Sequence, residues 1–334
     1  MRVAPLMAFL AAADREAMML KRVLITGATG FLGLNLIDRA IADGLGVVAV
    51  DRSPPPGRTP DRWPASIVFR QADMADPVAL GQAFALGADA VIHAAAITNG
   101  AAGAMAEVNV GGTVRVIRLA IRHGIRRLVL ISSGAVYGGV PIEPPARIPE
   151  TAEPEPLAPY GTSKLAAEAV ARALAEEHGL DLTIIRLPPL FGPWEYATGA
   201  RVVLSPQWQC LDLARRGLPI RLSRPGSGDW WLAPHAAAAI LGLLRATNGR
   251  FVDYNIGPGV ATTAVDWCRC LTRFYPALDW RIADDPADAT ITILAARDRA
   301  PLDPSRLHAA IGAPPAWDLD AAADAYLAWP GENP

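Results

Sequence analysis

Three groups of residues in this chain could do chemistry. The first is a phenol with an ammonium: in APYGTSKLAAEAVARAL, residues 158–174, Tyr160 stands four residues before Lys164. Four residues is about one helical turn, so on a helix the two side chains share a face. Such a pair is either the working end of a catalyst or the polar start of an ordinary amphipathic helix, and the pair alone leaves both open. The second is a glycine-rich turn, TGATGFLG at 26–33, with Gly27, Gly30 and Gly33 in G-x-x-G-x-x-G spacing. The third is a pair of hydroxyls, Ser132 and Ser133, in LVLISSGAVYG at 128–138. Two serines after a strand are ordinarily turn formers.

The glycine turn carries the strongest signal, because an apolar strand pattern precedes it and a helical pattern follows. Gly27 permits the tight turn, Gly30 lets backbone approach a pyrophosphate, and Gly33 lets helix and strand pack closely. The helix start, Phe31 and Leu32 with Gly33, presents free N–H groups to the anion. Asp51 ends VVAVD, 18 residues past Gly33. A carboxylate there accepts hydrogen bonds from ribose hydroxyls and repels a 2′-phosphate, which favours NAD over NADP. The adjacent Arg52 works the other way, since an arginine can accommodate that phosphate. In QADMAD, 71–76, Asp73 with Met74 beside it is placed to reach the adenine edge, or serves as a turn or cap residue.

These residues need a scaffold, and the hydropathy pattern supplies one. KRVLITG (21–27), VVAVD (47–51), SIVFRQAD (66–73), DAVIHAA (89–95), RRLVLISS (126–133) and LTIIRLP (182–188) are short apolar runs. Helix-length segments lie between them, among them 31–43, about 104–123 and about 160–178. Continuous rather than alternating runs mark strands buried on both faces. Strand and helix in repetition predict an α/β fold, a doubly wound parallel sheet of the Rossmann type, over 21–188. Seven of the twenty residues from Val140 to Pro159 are proline, a stiff approach to the Tyr160 helix. After Pro188 the rhythm breaks, and 189–334 reads as a smaller mixed substrate lobe that lends one strand, RFVDYNIG at 250–257, to the sheet.

Composition narrows the rest. The 334 residues are 51% hydrophobic and 19% charged, a globular balance, with a formal net charge of −2. No basic excess exists to neutralise a nucleic-acid backbone. Cys210, Cys268 and Cys270 form neither a disulfide framework nor a zinc motif, and the five histidines make no metal-ligand pattern. A reducing, cytoplasmic location without bound metal is expected. The apolar start at Ala4–Ala13 is short and broken by Asp14, Arg15 and Glu16, so 1–20 reads as an extension rather than a secretory signal. No apolar run is long enough to span a membrane.

Taken in order, the glycine turn, Asp51, HAAA (93–96), NVGGT (109–113), SSGAVYG and YGTSK resemble the extended short-chain dehydrogenase/reductases, specifically the NAD-dependent epimerase/dehydratase family. The resemblance continues through RLPPLFGP (186–193), YNIG (254–257) and LDPSRLHAAIG (302–312), nearly the whole chain. It implies Tyr160 as general acid/base toward a substrate hydroxyl or carbonyl. A free phenol ionises near ~10, too high for base work at neutral pH, and the Lys164 ammonium would stabilise the phenolate. It implies a second role for Lys164 at the nicotinamide ribose, and Ser133, rather than Ser132, as the hydroxyl that polarises the substrate oxygen. Ala94, Ala95 and Ala96 would lie along the cofactor, and Pro188 would flank the nicotinamide. Asn109 fits a structural role at the start of its helix.

The chain departs from the family pattern in two places. Dehydratases carry an acidic pair where Gly134 and Ala135 stand, which argues against dehydration here. Gly228 replaces the arginine that precedes an Asp-aromatic pair in sugar-nucleotide enzymes, and Pro234 and His235 replace acidic residues beyond it. Arg201, Arg221 or Arg224 could substitute toward a diphosphate. Trp194, Tyr196, Trp230 and Trp231 could pack a base or sugar face, or fill the core of the small lobe, which is the preferred expectation. The expected activity is NAD-dependent hydride transfer at a secondary alcohol of a sugar or nucleotide sugar, in the manner of a UDP-sugar 4-epimerase. A dehydrogenase of a free sugar or sugar acid is the alternative, and a non-catalytic NAD sensor or scaffold the alternative of another class. A homodimer is a family expectation.

Overall fold

The computed structural model describes residues 20–55, 63–138, 146–196, 203–246, 252–293, 298–314 and 316–330. The extension at 1–20, apart from Leu20, and the proline-rich stretch 139–145 lie outside the described residues.

Seven strands form one parallel sheet: β1 Arg22–Thr26, β2 Gly46–Asp51, β3 Ile67–Gln71, β4 Ala90–His93, β5 Arg127–Ser133, β6 Asp181–Leu187 and β7 Val252–Asn255. Their order is β7-β6-β5-β4-β1-β2-β3. The direction of winding reverses between β1 and β4, which opens a crevice at their carboxyl ends. Alternate residues of each strand face opposite sides. Val23, Ile25, Val47 and Ala49 pack into one apolar core, while Leu24, Val48 and Val50 pack into the other. Both faces being apolar explains the unbroken hydrophobic runs.

Helices α1 Phe31–Ala42, α2 Pro77–Phe84, α3 Gly112–Arg122 and α4 Pro159–His178 cross between the strands. A π-helical turn, Ala106–Gly111, leads into α3. Helix α4 starts on Pro159 at its first turn and stops at Gly179, whose φ of 64° is the left-handed C-cap glycine favours.

Beyond β6 come α5 Pro206–Arg215, α6 Ala233–Arg245, α7 Ala264–Thr272, α8 Ser305–Ile311 and α9 Leu319–Leu327. Helices α5, α7 and α9 close a separate small core around Phe191, Trp267 and Tyr326. Helix α6 instead returns to the sheet beside α1, and β7 extends it at the β6 edge.

The tryptophans divide accordingly. Trp194 and Trp231 are buried in the large core under α1 and α6, not in the small lobe as expected. The reason is local: Trp194 Nε1 donates to Asp38 Oδ2 on α1 at 2.6 Å, and Trp231 stands two residues before the first residue of α6. Trp230 does pack on the small-lobe core. No helix among the described residues is long and apolar enough to cross a membrane.

Candidate active site

The glycine turn closes against the end of β4. Gly27 has φ +69°, and a Cβ there would lie 2.6 Å from Ala95 N. A Cβ on Gly33 would lie 2.1 Å from the Gly27 carbonyl oxygen. Gly30 N donates to Gly27 O at 3.2 Å, and Gly30 is the N-cap of α1 with no side chain bonded to the helix start. The first turn, Phe31 and Leu32 among it, carries no acidic residue. A helix start in that state suits an anion.

Asp51 closes the opposite wall. Its Oδ2 accepts from Thr29 N at 3.0 Å and its Oδ1 from Arg52 N at 2.7 Å. Between these walls is a cleft of about 310 Å³ lined by Gly27, Gly30, Asp51, Arg52, Asp73, Met74 and Ala94 through Ala96, nine of the residues expected at a cofactor. Gly33, Phe31, Leu32, Tyr160, Lys164 and Pro188, also expected at the cofactor, are not on this lining. Asp73 also closes its own turn, Oδ1 accepting from Ala75 N at 2.8 Å, so both readings of it are compatible.

Tyr196 is found here rather than in the small-lobe core, the less favoured of the two places open to it. It lines the cleft, and its hydroxyl donates to the Thr29 carbonyl. Burial, with the Asp51 charge added, pushes its phenol up to about 12, so it stays neutral and donating. Thr29, Ser53, Ile97 and Val108 also line the cleft without any signal in residue type.

The second half of the site is where α4 docks on the turn after β5. The Ser133 hydroxyl accepts from Ala135 N at 3.1 Å and starts a 3-10 turn, Gly134–Tyr137. A Cβ on Gly161 would sit 2.5 Å from the Ala135 carbonyl oxygen. The missing side chain lets the first turn of α4, with half-buried Tyr160, close directly onto the turn that carries Ser133. Lys164, buried, donates from Nζ to the Ile131 carbonyl at 2.8 Å. Burial brings its ammonium down to about 8, with the Glu168 charge acting against the fall. Ser132 turns the other way, its Oγ donating to Glu168 Oε1 at 2.5 Å. Of the two serines, Ser133 is therefore the one on the turn that the start of α4 meets.

Behind these groups a polar relay ties β1, β4 and α3 together. His93 Nδ1 lies 2.6 Å from Thr26 Oγ1, and Nε2 lies 3.1 Å from Thr113 Oγ1. The Thr113 hydroxyl donates to Asn109 O at 2.6 Å, so it accepts from Nε2–H, and Nδ1 accepts from Thr26. Asn109 clasps Ile97 through both backbone groups, at 2.9 and 3.0 Å, and donates to Ser163 Oγ at 2.9 Å. It braces the helix start and is not presented to the cleft. Pro188 is buried after β6, and a Cβ on Gly257 would meet its ring at 3.2 Å.

The arginines offered for a diphosphate are otherwise engaged. Arg221 pairs with Asp279 at 2.5 Å and Arg224 with Asp298 at 2.5 Å, while Arg201 lies outside the described residues. Gly228 has little room for a larger residue in this arrangement, since a Cβ would meet Trp230 Nε1 at 3.0 Å.

A doubly wound sheet, a glycine-rich turn at its switch point and a Tyr-x-x-x-Lys helix docked at the end of β5 define the extended short-chain dehydrogenase/reductase class. Within that class the chain belongs to the NAD dependent epimerase/dehydratase family, which it matches over residues 23–257. It is 26% identical to the dTDP-L-rhamnose 4-epimerase of Burkholderia thailandensis, over 92% of this chain and 94% of that protein. It is 34% identical to the UDP-glucose 4-epimerase of Mycolicibacterium smegmatis, over 72% of this chain and 79% of that protein. Its fold is similar to the crystal structure of the Thermotoga maritima UDP-glucose 4-epimerase with UDP-glucose, at a TM-score of 0.77 and 22% identity, covering 92% of this chain and 97% of that one. The chain is thus an NAD-dependent enzyme of the epimerase/dehydratase type.

Proposed function

We propose that this chain interconverts epimers of a nucleotide sugar at a secondary alcohol, in the manner of a UDP-sugar 4-epimerase. The observation that carries this reading is the closure of the Tyr160 turn onto the Ser133 turn, with Lys164 anchored to β5 two residues upstream. The glycine cradle, too tight for a side chain at Gly27 or Gly33, together with the uncapped start of α1, fits the pyrophosphate of NAD. Asp51 fits its adenosine ribose. Bound NAD would supply the centre that accepts hydride from the substrate carbon and returns it.

The chain's own residues handle the proton. Tyr160, as phenolate, takes the proton from the substrate hydroxyl as that carbon is oxidised, and gives it back when the carbinol re-forms. The cation of Lys164 favours the phenolate form. The Ser133 hydroxyl, already oriented by Ala135 N, donates to the substrate oxygen as negative charge grows on it. Turnover of the carbonyl form between the two half-reactions would invert the centre.

Epimerisation is favoured over dehydration by Gly134 and Ala135, which carry no acidic side chain. A Cβ on Gly134 would lie 2.5 Å from Arg299 Nη1, and Arg299 is held in place by the buried Asp229 at 3.1 Å. The Arg299 guanidinium, paired with Asp229, takes up the place beside Gly134, and neither Gly134 nor Ala135 supplies the acid associated with dehydratases. A second reading, dehydrogenation of a free sugar or sugar acid, draws support from Gly228 and from the pairing of Arg221 and Arg224, which leave a diphosphate few cationic partners among the described residues.

One assay separates the readings. The purified enzyme is given NAD with UDP-glucose, UDP-galactose, free aldoses or aldonates, and both sugar products and the reduced-nicotinamide absorbance are followed. Sugar-nucleotide interconversion without net reduction supports the epimerase. Stoichiometric reduction with a free sugar replaces it by the dehydrogenase. Inertness toward every substrate, with NAD still bound, would leave the sensor.

A further inference from the structure

One buried carboxylate joins the three segments that carry the site. Glu168 lies one turn beyond Lys164 on α4 and is 1% exposed. Its Oε1 accepts from Ser132 Oγ on β5 at 2.5 Å and from Arg186 Nε on β6 at 3.0 Å; its Oε2 accepts from Arg186 Nη2 at 2.6 Å. Ser132 immediately precedes Ser133, and Arg186 stands two residues before Pro188. Arg186, 3% exposed, also donates from Nη1 to the Tyr137 hydroxyl at the end of the 3-10 turn. That hydroxyl donates to Asn255 Oδ1 at 3.2 Å, and Asn255 Nδ2 donates to Ile148 O at 2.8 Å. The network therefore runs from α4 through β5 and β6 to β7.

We propose that Glu168, clamped by Arg186, is a positioning residue for proton transfer: it fixes Ser133, Tyr160 and Lys164 relative to one another and sets the electrostatic environment of Lys164. The proposal rests on the reading of Tyr160 as the proton-transfer group.

Stability alone does not account for a buried ion pair of this kind. Desolvating both charges offsets most of their attraction, and apolar residues of similar volume generally do as well. Geometry points to position instead. Side chains four apart on α4, Lys164 and Glu168, reach consecutive residues of β5, the Ile131 carbonyl and the Ser132 hydroxyl. These two bonds fix the strand end against the helix at the level of Ser133.

Charge points the same way. The titratable groups facing Lys164 are Tyr160 and Glu168 on its own helix and His93 from β4; behind Glu168 lie Arg186 of β6 and, 3.8 Å from its Oε2, Arg172 of α4, with Asp253 of β7 paired to Arg172 and 3.7 Å from Arg186. Burial with the Lys164 charge holds His93 down to about 3, hence neutral. Arg186 is held charged: burial works to lower its affinity for the proton, and its bond and charge contact with Glu168 more than reverse that. Strand β5 contributes only a carbonyl and a hydroxyl. Glu168 is thus the anion that opposes loss of the Lys164 proton.

The test compares wild type with Glu168→Gln, which keeps the shape and removes the charge. Two readouts are used with NAD present: kcat and KM for the sugar nucleotide, and the tyrosinate absorbance of Tyr160, taken as the difference from the matching Tyr160→Phe protein. The second needs no substrate. The expected result is a fall in kcat of roughly ten- to hundredfold, part of the ~10²–10⁴ that a placed acid–base group supplies, with KM within about threefold. Tyr160 ionisation should move up by about one pH unit as its cationic neighbour weakens. Where Arg186, left with Asp253 at 3.7 Å as its anion, prevents folding, Glu168→Gln with Arg186→Met removes both charges, and the same two readouts are taken on it. A folded variant with lowered Tm but wild-type kcat and Tyr160 titration would overturn the proposal and leave Glu168 a purely structural group. Absence of turnover in the wild type, with the titration shift present, would instead count against the substrate reading alone.

Discussion

The Asp51 carboxylate accepts a hydrogen bond from the Thr29 backbone N–H at 3.0 Å, so the end of β2 holds the glycine turn across 22 residues of chain. With Arg52 N on its other oxygen, the carboxylate is oriented before any ribose arrives. This makes Asp51 both a wall of the cleft and a strut of the turn. Asp51→Ala should therefore weaken NAD binding roughly tenfold or more, the ~1.5–3 kcal/mol of a charge-assisted bond. It should weaken NADP less, because repulsion of a 2′-phosphate goes with the charge. Titration of both cofactors against wild type and variant reads the ratio; an unchanged NAD/NADP preference would assign Asp51 to the turn alone.

Gly33 tests the cradle from beneath. A Cβ there would lie 2.1 Å from the Gly27 carbonyl oxygen, a backbone atom that cannot swing away. Gly33→Ala must push α1 off the turn, at a cost of about 1–3 kcal/mol or more. A lower Tm and loss of NAD binding are expected together. The control is Gly103→Ala, in the short helix Ala102–Met105, where a Cβ meets nothing within 4 Å. That change should leave Tm equal or slightly raised.

Tyr160→Phe keeps the ring that packs at the start of α4 and removes the one oxygen that moves a proton. Activity should fall by roughly 10²–10⁴. NAD affinity and Tm should stay near wild type, since the cleft lining is elsewhere. Ser133→Ala should lower kcat through loss of the donor to the substrate oxygen, while also loosening the bond to Ala135 N. Full activity in Tyr160→Phe would remove the phenol from the mechanism.

What could be read from the sequence followed short-range rules. Val23 and Ile25 against Leu24 announce a strand buried on both faces, and a strand followed by Gly27, Gly30 and Gly33 announces the turn. Tyr160 and Lys164 share a face because a helix repeats every turn. What could not be read depends on approach between distant segments. Tyr196 meets Thr29 across 167 residues, and no periodicity predicts that. Glu168 sits in an alanine- and glutamate-rich helix where any carboxylate passes for a solvated one, and Arg186 interrupts an apolar strand without saying what it meets. Only the folded chain, bringing α4, β5 and β6 within 3 Å at that carboxylate, gives the two charges a common purpose. Trp194 was misplaced for the same cause: its partner, Asp38, lies 156 residues away.

His93 makes the fold sensitive to acid in a way that can be isolated. The ring is fully enclosed and neutral, donating through Nε2 to Thr113 and accepting at Nδ1 from Thr26. Burial, with the nearby Lys164 charge, lowers it from 6.5 to about 3. Between those values the unfolded chain carries the proton and the folded chain does not. Stability contributed by the neutral ring is therefore complete above about pH 6.5 and is lost as pH falls toward 3, by about 1.4 kcal/mol per pH unit and about 5 kcal/mol in total. His235, lowered by burial to about 4, acts with the same sign, so wild type alone does not separate the two. Urea unfolding of wild type and His93→Gln across this range does. The amide cannot take a proton and does not fill the buried ring's place, so the variant should start less stable near neutrality. It should then lose stability more slowly on acidification, the two curves converging toward pH 3. Parallel curves would mean that His93 is protonated in the folded enzyme well above that value.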